Sequence, residues 1–201
     1  MLVGSYGTGV FTQSGGDSTI DYSLILGASS SSVTGTYELS GGNLTVNGNI
    51  PQYGTHVGEY GNGIFNQSGG THETNYLSLA GSSSVSGTYN LSGGVLDVGV
   101  NVHGGSGSST LNIDGGTLTV AGGNGLIDVD TLRLGNSSAS NGIHTLSGTG
   151  AINTSDSYIG YQGTGHFTQT GGTHTIAGSL NLAAFPSGEG TYIFQDGSLS
   201  S

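Results

Sequence analysis

A ten-residue pattern built around Gly-Gly recurs eight times along this chain, and no other feature limits its fold as strongly. Each copy opens on an aromatic, apolar or His residue, skips one position, places an apolar residue or Gln, and then turns through small residues into a polar–apolar run. The copies are FTQSGGDSTI (11–20), YELSGGNLTV (37–46), FNQSGGTHET (65–74), YNLSGGVLDV (89–98), LNIDGGTLTV (111–120), HTLSGTGAIN (144–153), FTQTGGTHTI (167–176) and YIFQDGSLSS (192–201). Their first residues stand 26, 28, 24, 22, 33, 23 and 25 positions apart. An ordinary globular core leaves no such period.

A second order lies above the first. Copies opening on Phe follow VGSYGTGVF, VGEYGNGIF and IGYQGTGHF, whereas copies opening on Tyr, and the His144 copy, follow an L-x-L lead such as LILG, LSLAG, LRLG or LNLA. The Leu111 copy stands where a Phe-type coil belongs, with its lead reduced to VHGGSGSST. The reading is a single domain, 1–201, of four two-coil units near 2–54, 55–104, 105–156 and 157–201, the third of them degenerate.

Alternation within a copy defines its local structure. Tyr37 and Leu39 share one strand face while Thr36, Glu38 and Ser40 share the other; Leu44 with Val46, and Leu24 with Leu26, repeat the pattern. Each coil therefore offers three short strands, and no segment sustains a helical period with caps. The glycine pairs Gly15–Gly16, Gly41–Gly42, Gly69–Gly70, Gly93–Gly94, Gly115–Gly116 and Gly171–Gly172 are the expected corners. One coil cannot bury its apolar face alone, whereas stacked coils bury it and pair their backbones. The expected fold is all-β: a parallel β-helix, or β-solenoid, of about eight coils. Phe11, Tyr37, Phe65, Tyr89, Leu111, His144, Phe167 and Tyr192 are expected to form one internal ladder. At about 4.8 Å per coil the rod is roughly 38 Å long. A propeller would need longer strands and tight hairpins instead.

The strings GTYxLSGGxL and IG/VGxxGxGxFxQSGG resemble repeats of very large bacterial secreted and surface proteins, among them autotransporter-type passenger regions and proteins with a PEP-CTERM-type sorting signal. The resemblance spans essentially the whole chain. It implies a right-handed parallel β-helix, export, and an extracellular or cell-surface location.

Charge removes several functions. Twelve carboxylates stand against one strong base, Arg133, for a formal net charge of −11. Nucleic acids and anionic membrane surfaces need clustered Lys and Arg, which this chain lacks. With no Cys there is neither a disulfide framework nor a thiolate metal site. No stretch is apolar enough to insert in a membrane. The start, MLVGSYGTGVF, lacks the basic and apolar regions of a signal peptide and reads like the middle of a repeat.

Candidate chemistry is sparse. Asp128 and Asp130 lie two apart and could hold calcium or work as acid and base. The preferred reading is a solvated outer face with Arg133 as local counter-charge. The run GGNGLIDVD (122–130) approaches the calcium nonapeptide of secreted toxins but places Ile127 where its first Asp belongs, and occurs once. His72 and His174 occupy equivalent positions; with His56, His103, His144 and His166 they are expected as exposed polar strand residues without metal spacing. Gln13, Gln67 and Gln169 are expected to point inward and satisfy turn backbone near Gly-Gly. No catalytic residue and no cofactor is assigned. The expected role is a non-enzymatic structural element of a bacterial surface or extracellular fibre. It is read as a fragment or a stackable subunit that self-associates end to end. The alternatives are a carbohydrate-binding or carbohydrate-cleaving β-helix, with surface polysaccharide as partner, and an adhesin passenger fragment.

Overall fold

The computed structural model describes residues 1–121 and 123–201. It is an all-β solenoid of about eight turns in which every strand pairing is parallel. Three walls follow from the pairings. The first stacks residues 9–13, 35–39, 62–67, 86–91 and 108–113. The second stacks 17–20, 43–46, 71–74, 95–98 and 117–120. The third stacks 2–3, 24–26, 55–57, 77–79 and 101–103.

Inward positions of all three walls form the core. Tyr37, Phe65, Tyr89, Leu44, Leu96, Leu24, Leu77 and Leu79 are fully buried, and their polar neighbours in sequence face outward. The two glycines of each pair serve differently: Gly16, Gly42, Gly70, Gly94, Gly116 and Gly172 have positive φ, whereas at Gly41, Gly69, Gly93 and Gly115 a Cβ would strike a backbone carbonyl of the coil below. At Gly42 (φ 79°) a Cβ would also strike the Gly16 carbonyl of the coil below, so both backbone conformation and coil spacing require glycine there.

The ladder departs from its expected course after Leu111. Leu111 is followed on the first wall by Leu132, not by His144. The strand Leu126–Leu134 explains the change, because it holds two strand segments in direct succession. Residues 126–128 continue the third wall above 101–103, and 131–134 continue the first wall above 110–113. The following strand, Asn141–Leu146, thus falls on the second wall, with Gly165–Gln169 and Gly190–Phe194 above it. Residues 151–154, 173–176 and 198–200 complete the third wall.

The solenoid therefore contains two phases of one repeat. Below residue 120 the aromatic strands occupy the first wall; above residue 126 they occupy the second, one third of a turn on. The 33-residue interval from Leu111 to His144 is this phase slip rather than an eroded coil.

Candidate functional site

Within each phase the interior polar residues form a recurring cassette. Tyr89 donates its hydroxyl proton to Gln67 Oε1 (2.6 Å), and Gln67 Nε2 donates to the carbonyls of Gly70 (3.3 Å) and Val95 (2.9 Å). His72 bonds Tyr89 Oη through Nδ1 (2.9 Å) and Thr55 Oγ1 through Nε2 (2.9 Å). The tyrosine's single proton is already given to Gln67, so His72 Nδ1–H donates and Nε2 accepts from Thr55. The second phase repeats this with Tyr192, Gln169, His174 and Ser157: Tyr192 to Gln169 Oε1 is 2.6 Å, His174 Nδ1 to Tyr192 3.1 Å, and His174 Nε2 to Ser157 Oγ 3.1 Å. In the first unit Tyr37 donates to Gln13 Oε1 (2.6 Å), and register puts Ser18 in the histidine position.

These findings reverse the reading of His56, His72 and His174 as exposed, while His144 is interior as its ladder position implied. His72 and His174 have no exposed surface, His56 and His144 are also buried, and only His103 and His166 reach solvent freely. His72 lies parallel to Phe65 (4.8 Å, 2°), which stacks on Tyr89 (4.6 Å) and Tyr37 (4.9 Å). Burial pushes its pKa down to about 3, and that of His174 to about 4 with a further contribution from His144. The glutamines do bond the turn carbonyls, as their inward position implies, and also receive the tyrosine proton, which their spacing did not reveal.

The irregular chemistry gathers where the two phases meet. Strands Thr117–Val120 and Asn141–Leu146 are consecutive on the second wall, yet the first pairs only downward and the second only upward. Among the described residues no strand pairing joins them, and nearly all of their Cα pairs lie more than 8 Å apart. The result is a slot in the wall, opening on a cleft of about 200 Å³ lined by Leu118, Val120, Ile127, His144, Leu146 and Ile152. Both ends are closed. Asn141 N–H bonds the Asp114 carbonyl (3.1 Å) at one, and Asn124 Oδ1 accepts from Thr149 N–H (3.3 Å) and Oγ1 (3.2 Å) at the other. His144 forms no hydrogen bond among the described residues; it tilts against Phe167 (5.7 Å), and burial lowers its pKa to about 4.

Around the slip Asp128 and Asp130 line one pocket with Ser109, Asn153 and Thr154 but make different contacts. Asp130 lies at the bend between the two segments of its strand, where Oδ2 accepts from Ser109 N–H and Oγ (both 2.8 Å) and its own N–H donates to Ser109 Oγ (2.8 Å). Asp128 instead faces His103, 3.8 Å from Nδ1. Among the described residues no three acidic or imidazole groups converge as a metal cluster, and Gly122, the first residue of the nonapeptide-like run, lies outside them. Nor is Arg133 their counter-charge. Its guanidinium lies over Tyr161 (4.6 Å) and Tyr158 (5.6 Å), and Tyr161 meets Phe185 edge-on (4.8 Å). Beneath it an outward ladder runs from Glu38 through Asn66 and Asn90 to Asn112, each amide donating to the residue below (2.8, 2.7 and 2.7 Å). The Asn112 side-chain oxygen and Arg133 Nε, neighbours in register, are buried and have no hydrogen-bond partner among the described residues.

Fold and interior together define a β-solenoid repeat protein with one internal change of phase. Comparison with protein-family models, with curated proteins and with solved structures finds no match to this chain.

Proposed function

We propose that this chain is a non-enzymatic segment of an extracellular or cell-surface rod whose end coils accept further coils. The observation that supports the reading is the matched state of the two ends. Phe11 lies tilted against Tyr37 (5.0 Å, 35°) and is 38% exposed, in a Phe-type coil. At the opposite end lies a Tyr-type coil, with Phe194 and Leu199 exposed. The series inside the molecule places Phe65 on Tyr37 and thus a Phe-type coil above a Tyr-type one. A second copy seated above Tyr192 continues that alternation, and its backbone edge meets the open edge of the last coil. The interior cassettes agree with this role, because their donors and acceptors are used in holding coil to coil.

Negative-stain microscopy and sedimentation of the 201-residue chain test the proposal. Rods of variable length are expected, favoured by salt because each copy has a net charge of −11. Phe11→Lys should leave single short particles. Wild-type chain that stays monomeric at high concentration and high salt refutes end-to-end assembly.

A saccharide-binding reading draws on a different observation, the outward Tyr161–Phe185 platform beside Arg133. Chemical-shift changes at Tyr161 and Phe185 on titration with acidic oligosaccharides would support it, and unchanged spectra would remove it.

A further inference from the structure

We propose that the slot between Thr117–Val120 and Asn141–Leu146 is a docking site for one extended strand of a partner polypeptide. The inference is independent of the rod assembly, because it concerns a side wall rather than the ends.

Three features point to a strand rather than a small apolar molecule. The first is spacing. Adjacent parallel strands lie about 4.8 Å apart, and the two rims stand more than 8 Å apart over nearly all their length, too far to pair with each other and of the order of the two strand spacings that one intervening strand spans. The second is the set of free backbone groups. Thr117 N–H bonds Gly94 O below it, so alternation turns the N–H and C=O of Leu118 and Val120 up into the slot. Asn141 N–H bonds Asp114 O below it, so Ile143 and Thr145 present theirs downward into the same opening. A strand laid between the rims would pair on both sides and complete the wall. The third is length, since the bonded ends at Asp114–Asn141 and Asn124–Thr149 limit the insert to about four extended residues.

The lining sets the partner's chemistry. Inward side chains of the inserted strand would lie between Leu118 and Val120 on one side and His144 and Leu146 on the other, so two alternate apolar residues fit there. Outward ones lie beside Thr119 and Thr145, where small polar residues fit. No carboxylate lines the opening, whereas the chain's net charge of −11 favours basic residues flanking the insert. The partner segment is thus a neutral, alternating four-residue strand with basic flanks, bound by β-augmentation.

The probe is the acetylated, amidated peptide Lys-Thr-Leu-Thr-Val-Lys, with a control N-methylated at Leu and Val. Amide exchange followed by NMR is the measurement. In the free protein the N–H groups of Leu118, Val120, Ile143 and Thr145 should exchange faster than those of Leu96 and Val98. Saturating peptide should slow the four by about tenfold or more, and the N-methylated control should not. Slow exchange at all four in the free protein would mean the wall is already closed and would overturn the proposal. So would peptide that leaves their rates unchanged, or a control that protects them equally, which would reduce the slot to an apolar crevice.

Discussion

His72 and His144 are both imidazoles buried on the second wall, and they differ in what surrounds them. His72 has both ring nitrogens bonded, to Tyr89 and Thr55, and lies flat between aromatic rungs. His144 sits on the rim of the slot with a tilted aromatic contact and no hydrogen bond among the described residues. One belongs to a continuous stack and the other to the place where the stack changes phase. Burial of polar groups is inexpensive in this fold only where coils above and below supply partners.

Acid should break the comparison most strongly. The pKa values of His72, His144 and His174 are lowered to about 3, 4 and 4 in the folded chain, whereas an unfolded histidine titrates near 6.5. The unfolded state therefore binds more protons below that value. Stability is fully present above about pH 6.5 and falls as pH drops toward about 4, by on the order of 3 kcal/mol per histidine at the low end. Histidine C–H resonances should show no titration near pH 6.5 for these three. A His144 that titrates near 6.5 would place it in open water and sever the likeness to His72.

Removing the slip should have the next largest effect. Deletion of residues 121–129 joins Val120 through Asp130 to residues 131–134, much as Ser155 joins residue 154 to 156 elsewhere in the chain. It would put His144 directly above Leu111 and restore one ladder. Pairing the backbone of Leu118, Val120, Ile143 and Thr145 at about 1 kcal/mol net per hydrogen bond should add about 4 kcal/mol. Urea unfolding would register the gain, and a less stable deletion variant would show that the slip itself contributes to folding.

Tyr89→Phe tests the regular side of the comparison. It strips Gln67 Oε1 and His72 Nδ1 of their shared partner and should cost about 3 kcal/mol in chemical denaturation. Replacing Gln67, His72 and Tyr89 together by Leu, Leu and Phe should cost less than the single change, since Leu already fills the first two positions at Leu39 and Leu44. His144→Leu should alter stability at neutral pH by less than about 1 kcal/mol, because no protein hydrogen bond is lost. A loss near that of Tyr89→Phe would reveal a partner for His144.

The period of the chain made its fold legible, and the same period concealed the slip. The sequence LIDVDTLRL holds two alternating segments with one residue between them, which is two strands in succession. Read against the Gly-Gly copies alone, LRLG is simply the lead of the His144 copy, and the strand segment before it goes unnoticed. The buried histidines were legible in principle, because His72 aligns with Leu44 and Leu96 and so inherits their inward parity. Residue type pointed outward where register pointed inward, and register won because Thr55 and Tyr89 supply both partners. The Tyr–Gln bond and the Arg133 platform were less accessible, since each joins residues from different coils whose alignment depends on where the phase changes. The split between Asp128 and Asp130 depends on a bend after residue 129 that equal spacing does not disclose.

The change of phase also governs direction. Below it the Gly-Gly corners from Gly15–Gly16 to Gly115–Gly116 form a ridge between the first and second walls, whereas Gly171–Gly172 above it lies between the second and third. A ligand that reads this ridge would meet two like surfaces on one molecule, held at a fixed angle of a third of a turn. One rod could thus engage two objects, where a single-phase rod would present its ridge on one side only.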